Sequence, residues 1–210
     1  MICCAELRWF FHQRLSAEVK NWFCGSRLCK EEALRSDHYL VLSGSNEVGV
    51  KVRDGRTFEI KARARLPEPF CLEPGASVGR QDTWVKWSPQ DREVAGRLAA
   101  IENSKPEWVP VAKKRWLRKF RVDAAGQVEE TDADTISDHG CRVELSEVTA
   151  RDSQWWTMAF ESFGEVNRAT SLEQVARHFL RMLPHGVALT ERDSMAYPEW
   201  LNRHLIKGPE

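Results

Sequence analysis

The sequence has no excess of either charge, no cysteine motif and no long apolar run. Its 210 residues carry 31 lysines and arginines against 31 aspartates and glutamates, so the net charge is zero. This balance argues against a general binder of nucleic acids or membrane surfaces, although it is compatible with a local basic patch. No apolar stretch is long enough to span a bilayer. We therefore expect neither a membrane nor a nucleic acid as partner.

The six cysteines form no CxxC pair and do not show the His and Cys spacing of a zinc site. Residues 1–6 lack the basic and apolar regions of a signal peptide. Together these features predict reduced, mostly buried thiols in a cytoplasmic protein, with disulfides as the alternative. The nine tryptophans are expected to pack in the core, and a stacking platform for bases is the alternative.

Most of the chain shows the period-two alternation of apolar and polar residues that is typical of β-strands. Strands are predicted at residues 3–11, 33–42, 48–53, 57–65, 83–87, 108–122, 141–148 and 155–163. The Asp54-Gly55 dipeptide predicts a tight hairpin between two of them. Residues 66–80 contain three prolines and two glycines and are expected to form a loop.

Helices are predicted between and after these strands, at residues 16–23, 88–101, 170–183 and 194–204. Ser16 is a suitable N-cap for the first helix, and Ser88-Pro89 is typical of the start of the second. We therefore expect a mainly β (α+β) fold. It forms one domain over residues 1–210, with residues 185–210 as a C-terminal extension.

Three predicted strands repeat a basic doublet, two residues apart, on one strand face. The doublets are Lys51 and Arg53, Lys61 and Arg63, and Lys113 and Arg115. The ordinary explanation is a sheet face in contact with water, where charge is expected. Such faces commonly mix both charge signs with neutral polar residues, however, and like charges crowded on one face cost stability. A bound anion explains this pattern better.

The order of these motifs resembles the CYTH superfamily of triphosphate tunnel enzymes, which includes thiamine triphosphatases, inorganic triphosphatases and a class of adenylyl cyclases. That family opens with a strand reading E-x-E-x-K, and residues 4–8 here read Cys-Ala-Glu-Leu-Arg. A basic doublet, an E-x-K strand and a K-x-R strand follow, similar to residues 50–53, 59–63 and 113–115. The acidic strands that end the family pattern are matched by Glu144 and Glu161. The resemblance covers roughly residues 3–185.

The resemblance implies an eight-stranded antiparallel barrel, open as a tunnel, that holds a triphosphate with Mg²⁺ or Mn²⁺. The metal ligands that it implies are Glu6, Glu144 and Glu161. The phosphate-binding residues that it implies are Arg8, Lys51, Arg53, Lys61, Arg63, Lys113 and Arg115. No general base can be singled out, because catalysis of this kind depends mainly on positioning and charge stabilisation.

The function that these features predict is metal-dependent hydrolysis of a triphosphate or related phosphoanhydride. Cys4 stands where the family has a glutamate, and a thiol does not replace a hard oxygen ligand of Mg²⁺. The alternative is therefore a non-catalytic binding protein for a nucleotide, polyphosphate or other phosphorylated ligand. A tryptophan-rich protein-interaction domain is a third hypothesis. The oligomeric state and the organic part of the substrate stay open.

Overall fold

The computed structural model describes residues 2–73, 76–89, 108–164 and 168–205, together with Glu93 and Arg97. The helix predicted at residues 88–101 lies outside these residues, apart from its first two positions and Glu93 and Arg97. No helix among the described residues has the length and apolar character needed to cross a membrane.

The described residues form a closed antiparallel barrel of eight strands. Its strands are β1 (Ile2–Phe11), β3 (Arg35–Leu40), β4 (Val48–Arg53), β5 (Thr57–Arg63), β7 (Ala76–Trp87), β8 (Trp108–Val122), β10 (Gly140–Ala150) and β11 (Ser153–Phe163). Three shorter strands pair outside this ring, namely β2 (Lys30–Glu31), β6 (Glu68–Glu73) and β9 (Val128–Thr131). The helices are α1 (Ala17–Phe23), α2 (Arg168–Leu180) and α3 (Tyr197–His204). The predicted mainly β barrel is confirmed.

Strand β1 closes the barrel, because it pairs with β11 on one side and with β7 on the other. In this register Glu6 lies opposite both Glu161 of β11 and Asp82 of β7. Around the ring the order is β1, β11, β10, β8, β3, β4, β5 and β7. Directly opposed residues share a sheet face, so the pairing carries the charged residues of β1 and β11 onto the same inner surface.

The main hydrophobic core lies between the outer face of one side of the barrel and the helices that pack on it. Leu7 and Trp9 of β1 pack there with Phe160 of β11 and with Phe179 of α2, all fully buried. Helix α1 adds Phe23 to this cluster. Its N-terminus is capped by Ser16, whose hydroxyl accepts a hydrogen bond from the Val19 amide, as predicted.

One end of the barrel interior is apolar and is covered by α3. Trp200 of α3 stacks on Phe10, with ring centroids 4.9 Å apart, and Tyr197 stacks on Tyr39 at 5.1 Å. Trp155 of β11 packs edge to face against Trp200. The segment predicted as a C-terminal extension therefore supplies the cover of this end.

The prediction of a loop at residues 66–80 is wrong, because β6 and the beginning of β7 lie there. Pro69 is compatible with a strand, since among the described residues β6 pairs with β7 alone and is an edge strand. Gly79 is needed for packing rather than for a turn. A β-carbon at this position would lie 2.7 Å from the Trp9 ring, whose Nε1 donates to the Val78 carbonyl.

The Asp54-Gly55 turn joins β4 and β5 as predicted. Both residues adopt positive φ, 49° and 63°, as a tight hairpin turn of the primed type requires. All six cysteines, each among the described residues, are free thiols, as expected, but only Cys4 and Cys141 are buried and the other four are half-buried, so the expectation that most are buried is wrong. The predicted packing role of the tryptophans is seen in Trp9, Trp84 and Trp116, which are fully buried.

Candidate functional site

The middle of the barrel interior surrounds a charged cavity of about 90 Å³. Its lining combines eight basic side chains with four carboxylates and two tyrosines. The basic residues are Arg8, Arg35, Lys51, Arg53, Lys61, Lys86, Lys113 and Arg115, and the others are Glu6, Glu59, Glu144, Glu161, Tyr39 and Tyr197. We call this set the cavity lining. It gathers positive charge in a chain whose net charge is zero.

Nine of the ten candidate site residues from the sequence belong to the cavity lining. The exception is Arg63, which is placed differently from the prediction. Its Nε lies 2.8 Å from Asp82 Oδ1, and its guanidinium lies 5.2 Å from the centre of the Trp84 ring. Because these two side chains occupy the interior next to it, Arg63 does not reach the cavity.

Arg8 connects two of the predicted metal-binding glutamates. Its Nε donates to Glu6 at 2.8 Å and its Nη1 donates to Glu144 at 3.0 Å. Lys61 Nζ contacts the other oxygen of Glu6 at 2.8 Å, and Arg115 Nη1 contacts the other oxygen of Glu144 at 2.8 Å. Each glutamate is thus held between two cations.

This pairing keeps both glutamates ionised. Burial alone would raise the pKa of Glu6, but Lys61 and Arg8 outweigh burial and hold the pKa below its ordinary value. For Glu144, burial is likewise outweighed by Arg8 and Arg115, and the pKa lies well below its ordinary value. Glu6 and Glu144 therefore remain negative far into the acid range.

Asp37 of β3 lies behind the lining and forms ion pairs with several of its cations. It is fully buried, and its two oxygens lie 3.0 Å from Lys113 Nζ, 3.2 Å from Arg35 Nη2 and 3.4 Å from Arg53 Nε. Lys113 also donates to the Tyr39 hydroxyl at 2.6 Å. Burial lowers the pKa of Lys113 well below its ordinary value, although Asp37 acts in the opposite direction.

Lys86 of β7 forms an ion pair with Glu161 of β11, across the intervening β1. Burial would lower the pKa of Lys86, but Glu161 outweighs it and the pKa is raised. Cys4 of β1 lies beside this pair, and burial raises the pKa of its thiol to about 12. The Cys4 thiol is therefore neutral.

Four charged residues of this site were not predicted from the sequence. Arg35 and Asp37 share the face of Tyr39 on β3, and Glu59 shares the face of Lys61 on β5, so strand alternation alone could have found them. No such alternation pattern identified Lys86. Its predicted strand was short, and Trp84 and Trp87 fall on opposite faces of it.

The carboxylates in this arrangement do not form a ready site for a divalent ion. Mg²⁺ requires oxygen ligands in nearly octahedral geometry and gives up its water reluctantly. Here Glu6, Glu144 and Glu161 each contact ammonium or guanidinium groups instead. Among the residues that the structure describes, no three His, Cys, Asp or Glu side chains are placed to hold a metal ion. The expectation of Mg²⁺ or Mn²⁺ stays a prediction.

A wider cavity of about 420 Å³ adjoins the charged cavity on the side away from α3. The two share Arg8, Arg115, Glu144 and five further residues. The outer cavity adds Arg142, Phe163 and neighbouring side chains from β2 and the segment before β10. We call this outer cavity the mouth. A ligand entering by the mouth meets the charged cavity next and α3 last.

The chain is similar to solved structures of low sequence identity, among them two proteins from Pyrococcus. No protein-family model matches the chain. No curated protein is similar to it at a significant level. The PH1012 protein from Pyrococcus horikoshii OT3 is 16% identical with a TM-score of 0.47, covering 92% of this chain and 98% of its own. A conserved hypothetical protein from Pyrococcus furiosus is 12% identical with a TM-score of 0.47, covering 93% and 98%. Neither similarity gives information on the function of this chain.

Proposed function

We propose that the barrel binds a small phosphorylated anion, such as a triphosphate or polyphosphate, in its charged cavity. The observation that carries this proposal is the lining of eight basic side chains against four carboxylates. Even when Asp37 and Glu32, which contact cations of the lining, are included, positive groups exceed negative groups by two. An excess of buried positive charge is costly for the empty protein and favourable once an anion neutralises it.

The types and spacing of the cations suit phosphate. Arginine offers two parallel donors to a pair of oxygens, and lysine adds a compact charge. The guanidinium groups of Arg8 and Arg115 both contact the Glu144 carboxylate, at 3.0 and 2.8 Å. They are therefore close enough together to bind oxygens of a single phosphate group.

The two connected cavities favour a ligand that is larger than one phosphate. The inner cavity is about 90 Å³ and is surrounded by charge, whereas the mouth is about 420 Å³ and includes the Phe163 ring. Small-molecule sites are commonly about 300–1,000 Å³. In our proposal the phosphate groups lie inside, and the rest of a nucleotide or other metabolite lies in the mouth.

The resemblance to the CYTH superfamily supports the triphosphate class within this proposal. The free cysteines are consistent with a reducing compartment, so we also propose a cytoplasmic location. Hydrolysis of the bound phosphoanhydride, with Mg²⁺ or Mn²⁺ in solution, is the second candidate function. It is favoured by Arg8 and Arg115, because two guanidiniums at one phosphate would stabilise the charge of phosphoryl transfer.

Isothermal titration calorimetry with tripolyphosphate tests the binding proposal. Neighbouring residues of β8 provide the matched pair, because Arg115 lines the cavity and Lys114 is on the outer face, 40% exposed. We expect Arg115→Gln to weaken binding about tenfold or more, corresponding to about 1.4 kcal/mol, and Lys114→Gln to leave it unchanged. The absence of both heat and thermal stabilisation at millimolar tripolyphosphate would contradict the proposal.

Phosphate release from tripolyphosphate, with and without Mg²⁺ or Mn²⁺, tests the second candidate. If hydrolysis occurs through the predicted metal ligands, Glu161→Gln should abolish it. Release that is unchanged in this variant would remove Glu161 from the catalytic site. Binding without any release would leave the first proposal standing and reject the second.

A further inference from the structure

The ion pair between Lys86 and Glu161 places a fixed positive charge where the family resemblance implies a metal ion. Glu161 is one of three glutamates implied to hold metal, and Lys86 was not among the predicted site residues. Both side chains line the charged cavity, and their charged groups are in direct contact. The Lys86 ammonium therefore faces the same space that a bound phosphate would occupy.

The remaining carboxylates of the cavity lining are neutralised in the same way. Glu6 contacts Lys61 and Arg8, each at 2.8 Å, and Glu59 contacts Lys51 at 2.9 Å. Glu144 lies between two guanidinium groups. A divalent ion would have to displace these contacts and leave a buried cation without its partner. Breaking a buried ion pair in this way is strongly unfavourable.

Cys4, which lies next to this ion pair, is a poor ligand for a hard metal ion. Cys4 is buried on β1 beside Lys86 and Glu161. A thiol is a poor ligand for Mg²⁺ or Mn²⁺, which prefer carboxylate, carbonyl and water oxygens. The two carboxylates at this position, Glu161 and its cross-strand neighbour Glu6, are thus both paired with cations, and a thiol stands where the family has a further glutamate.

We propose that the Lys86 ammonium takes the place of a divalent metal at Glu161, so that the cavity binds its phosphorylated ligand without a metal ion. This inference rests on the proposed function, because it specifies how the charge of the same ligand is neutralised. The Lys86 ammonium contacts Glu161 on one side and a phosphate oxygen on the other. A bridging metal would make the same two contacts.

Tripolyphosphate titration of the metal-free protein tests this inference. The protein is stripped of metal, and calorimetry is run once with EDTA and once with excess Mg²⁺. We expect the affinity in EDTA to be at least as high as in excess Mg²⁺, because Mg²⁺ complexes tripolyphosphate in solution and competes with the cavity for it. Binding that is at least about tenfold weaker in EDTA, and is restored by Mg²⁺, would overturn the inference while leaving the proposed function intact. No binding in either buffer would reject both.

A charge reversal at Lys86 sharpens the test. Lys86→Glu adds a third carboxylate beside Glu161 and Glu6, so tripolyphosphate binding in EDTA should weaken about a hundredfold and Mg²⁺ should restore much of it. Lys114→Glu makes the same charge change on the outer face and should bind like the wild type in both buffers. If Lys86→Glu does not fold, Lys86→Met removes the charge alone, and binding in EDTA should weaken about tenfold. Unchanged binding in the Lys86 variants would overturn the inference.

Discussion

The eight barrel strands enclose two different interiors. At one end, aromatic side chains such as Phe10, Tyr39 and Trp155 pack against α3 and exclude water. Further along the same strands, the inward positions are lysine, arginine, aspartate and glutamate. Burial of apolar area is favourable, whereas buried charges must recover their desolvation cost through partners. The α3 end therefore contributes stability, whereas the charged cavity is the site of the proposed ligand.

The largest effect is expected at the α3 end. Trp200→Ala removes a fully buried ring that stacks on Phe10, so we expect a loss of about 3–5 kcal/mol in the free energy of unfolding. Urea denaturation without ligand measures it. Trp87→Ala is the matched control, because Trp87 is 45% exposed and its loss should be smaller than about 1 kcal/mol. Equal losses in the two variants would refute the assignment of stability to α3.

The charged cavity should respond to removal of a single carboxylate. Glu144→Gln leaves Arg8 and Arg115 without their shared partner, so we expect a loss of about 3 kcal/mol at neutral pH. The folded-state pKa of Glu144 is depressed, so its contribution is present above the ordinary carboxyl pKa and is lost as the pH falls below about 4. The difference from wild type should therefore shrink in acid.

Urea denaturation at several pH values measures this prediction. Glu147→Gln is the control, because Glu147 is exposed on the outer face of the same strand. Its effect should stay within about 0.5 kcal/mol at every pH. A pH-independent loss in Glu144→Gln would contradict the role of the ionised carboxylate.

Asp82 is predicted to show the opposite pH dependence. Burial raises its pKa from 3.8 to about 6, although Arg63 acts to lower it. A raised folded-state pKa means that stability is greatest below the unfolded pKa and is lost as the pH rises through about 6. Relative to Asp82→Asn, the wild type should lose about 2 kcal/mol between about pH 4 and about pH 7. Asp152→Asn, at an exposed turn, is the control. Parallel pH curves for wild type and Asp82→Asn would disprove the prediction.

The smallest effect is expected for an ion pair in water. Arg121 and Glu129 are 59% and 60% exposed, with oxygen and nitrogen 2.6 Å apart. Arg121→Ala should change the free energy of unfolding by less than about 0.5 kcal/mol. Arg118→Ala is the informative contrast. Arg118 forms an ion pair with Glu130 and is only 12% exposed, so its loss should lower the free energy of unfolding by more. If both changes are equally small, burial does not distinguish the two pairs.

The sequence predicts which side chains share a strand face but not which strands meet. Alternation within β4, β5 and β8 was sufficient to place Lys51, Lys61 and Arg115 among the candidate residues. Strand register is a contact between distant residues, so the pairing of Glu6 with both Glu161 and Asp82 could not be read from any local pattern.

The missed parts of the structure have local physical causes. Residues 66–80 resemble a loop because prolines such as Pro69 are usually excluded from strands, yet the edge strand β6 tolerates Pro69. The partner of Glu161 was missed because Lys86 belongs to a strand whose two faces both carry tryptophan or charge. The cover over one barrel end was missed because the short helix α3 gives no indication of its docking site.

The double pairing of β1 has a consequence for the order of folding. Residues 2–11 are synthesised before their partners on β7 and β11, which end at residues 87 and 163. Until then both edges of β1 are unpaired, and Trp9, Phe10 and Phe11 have no core. Contacts between such distant residues slow folding, and open strand edges invite pairing with other chains. Until both partners are made, strand β1 is therefore the part of the barrel most exposed to pairing with another chain.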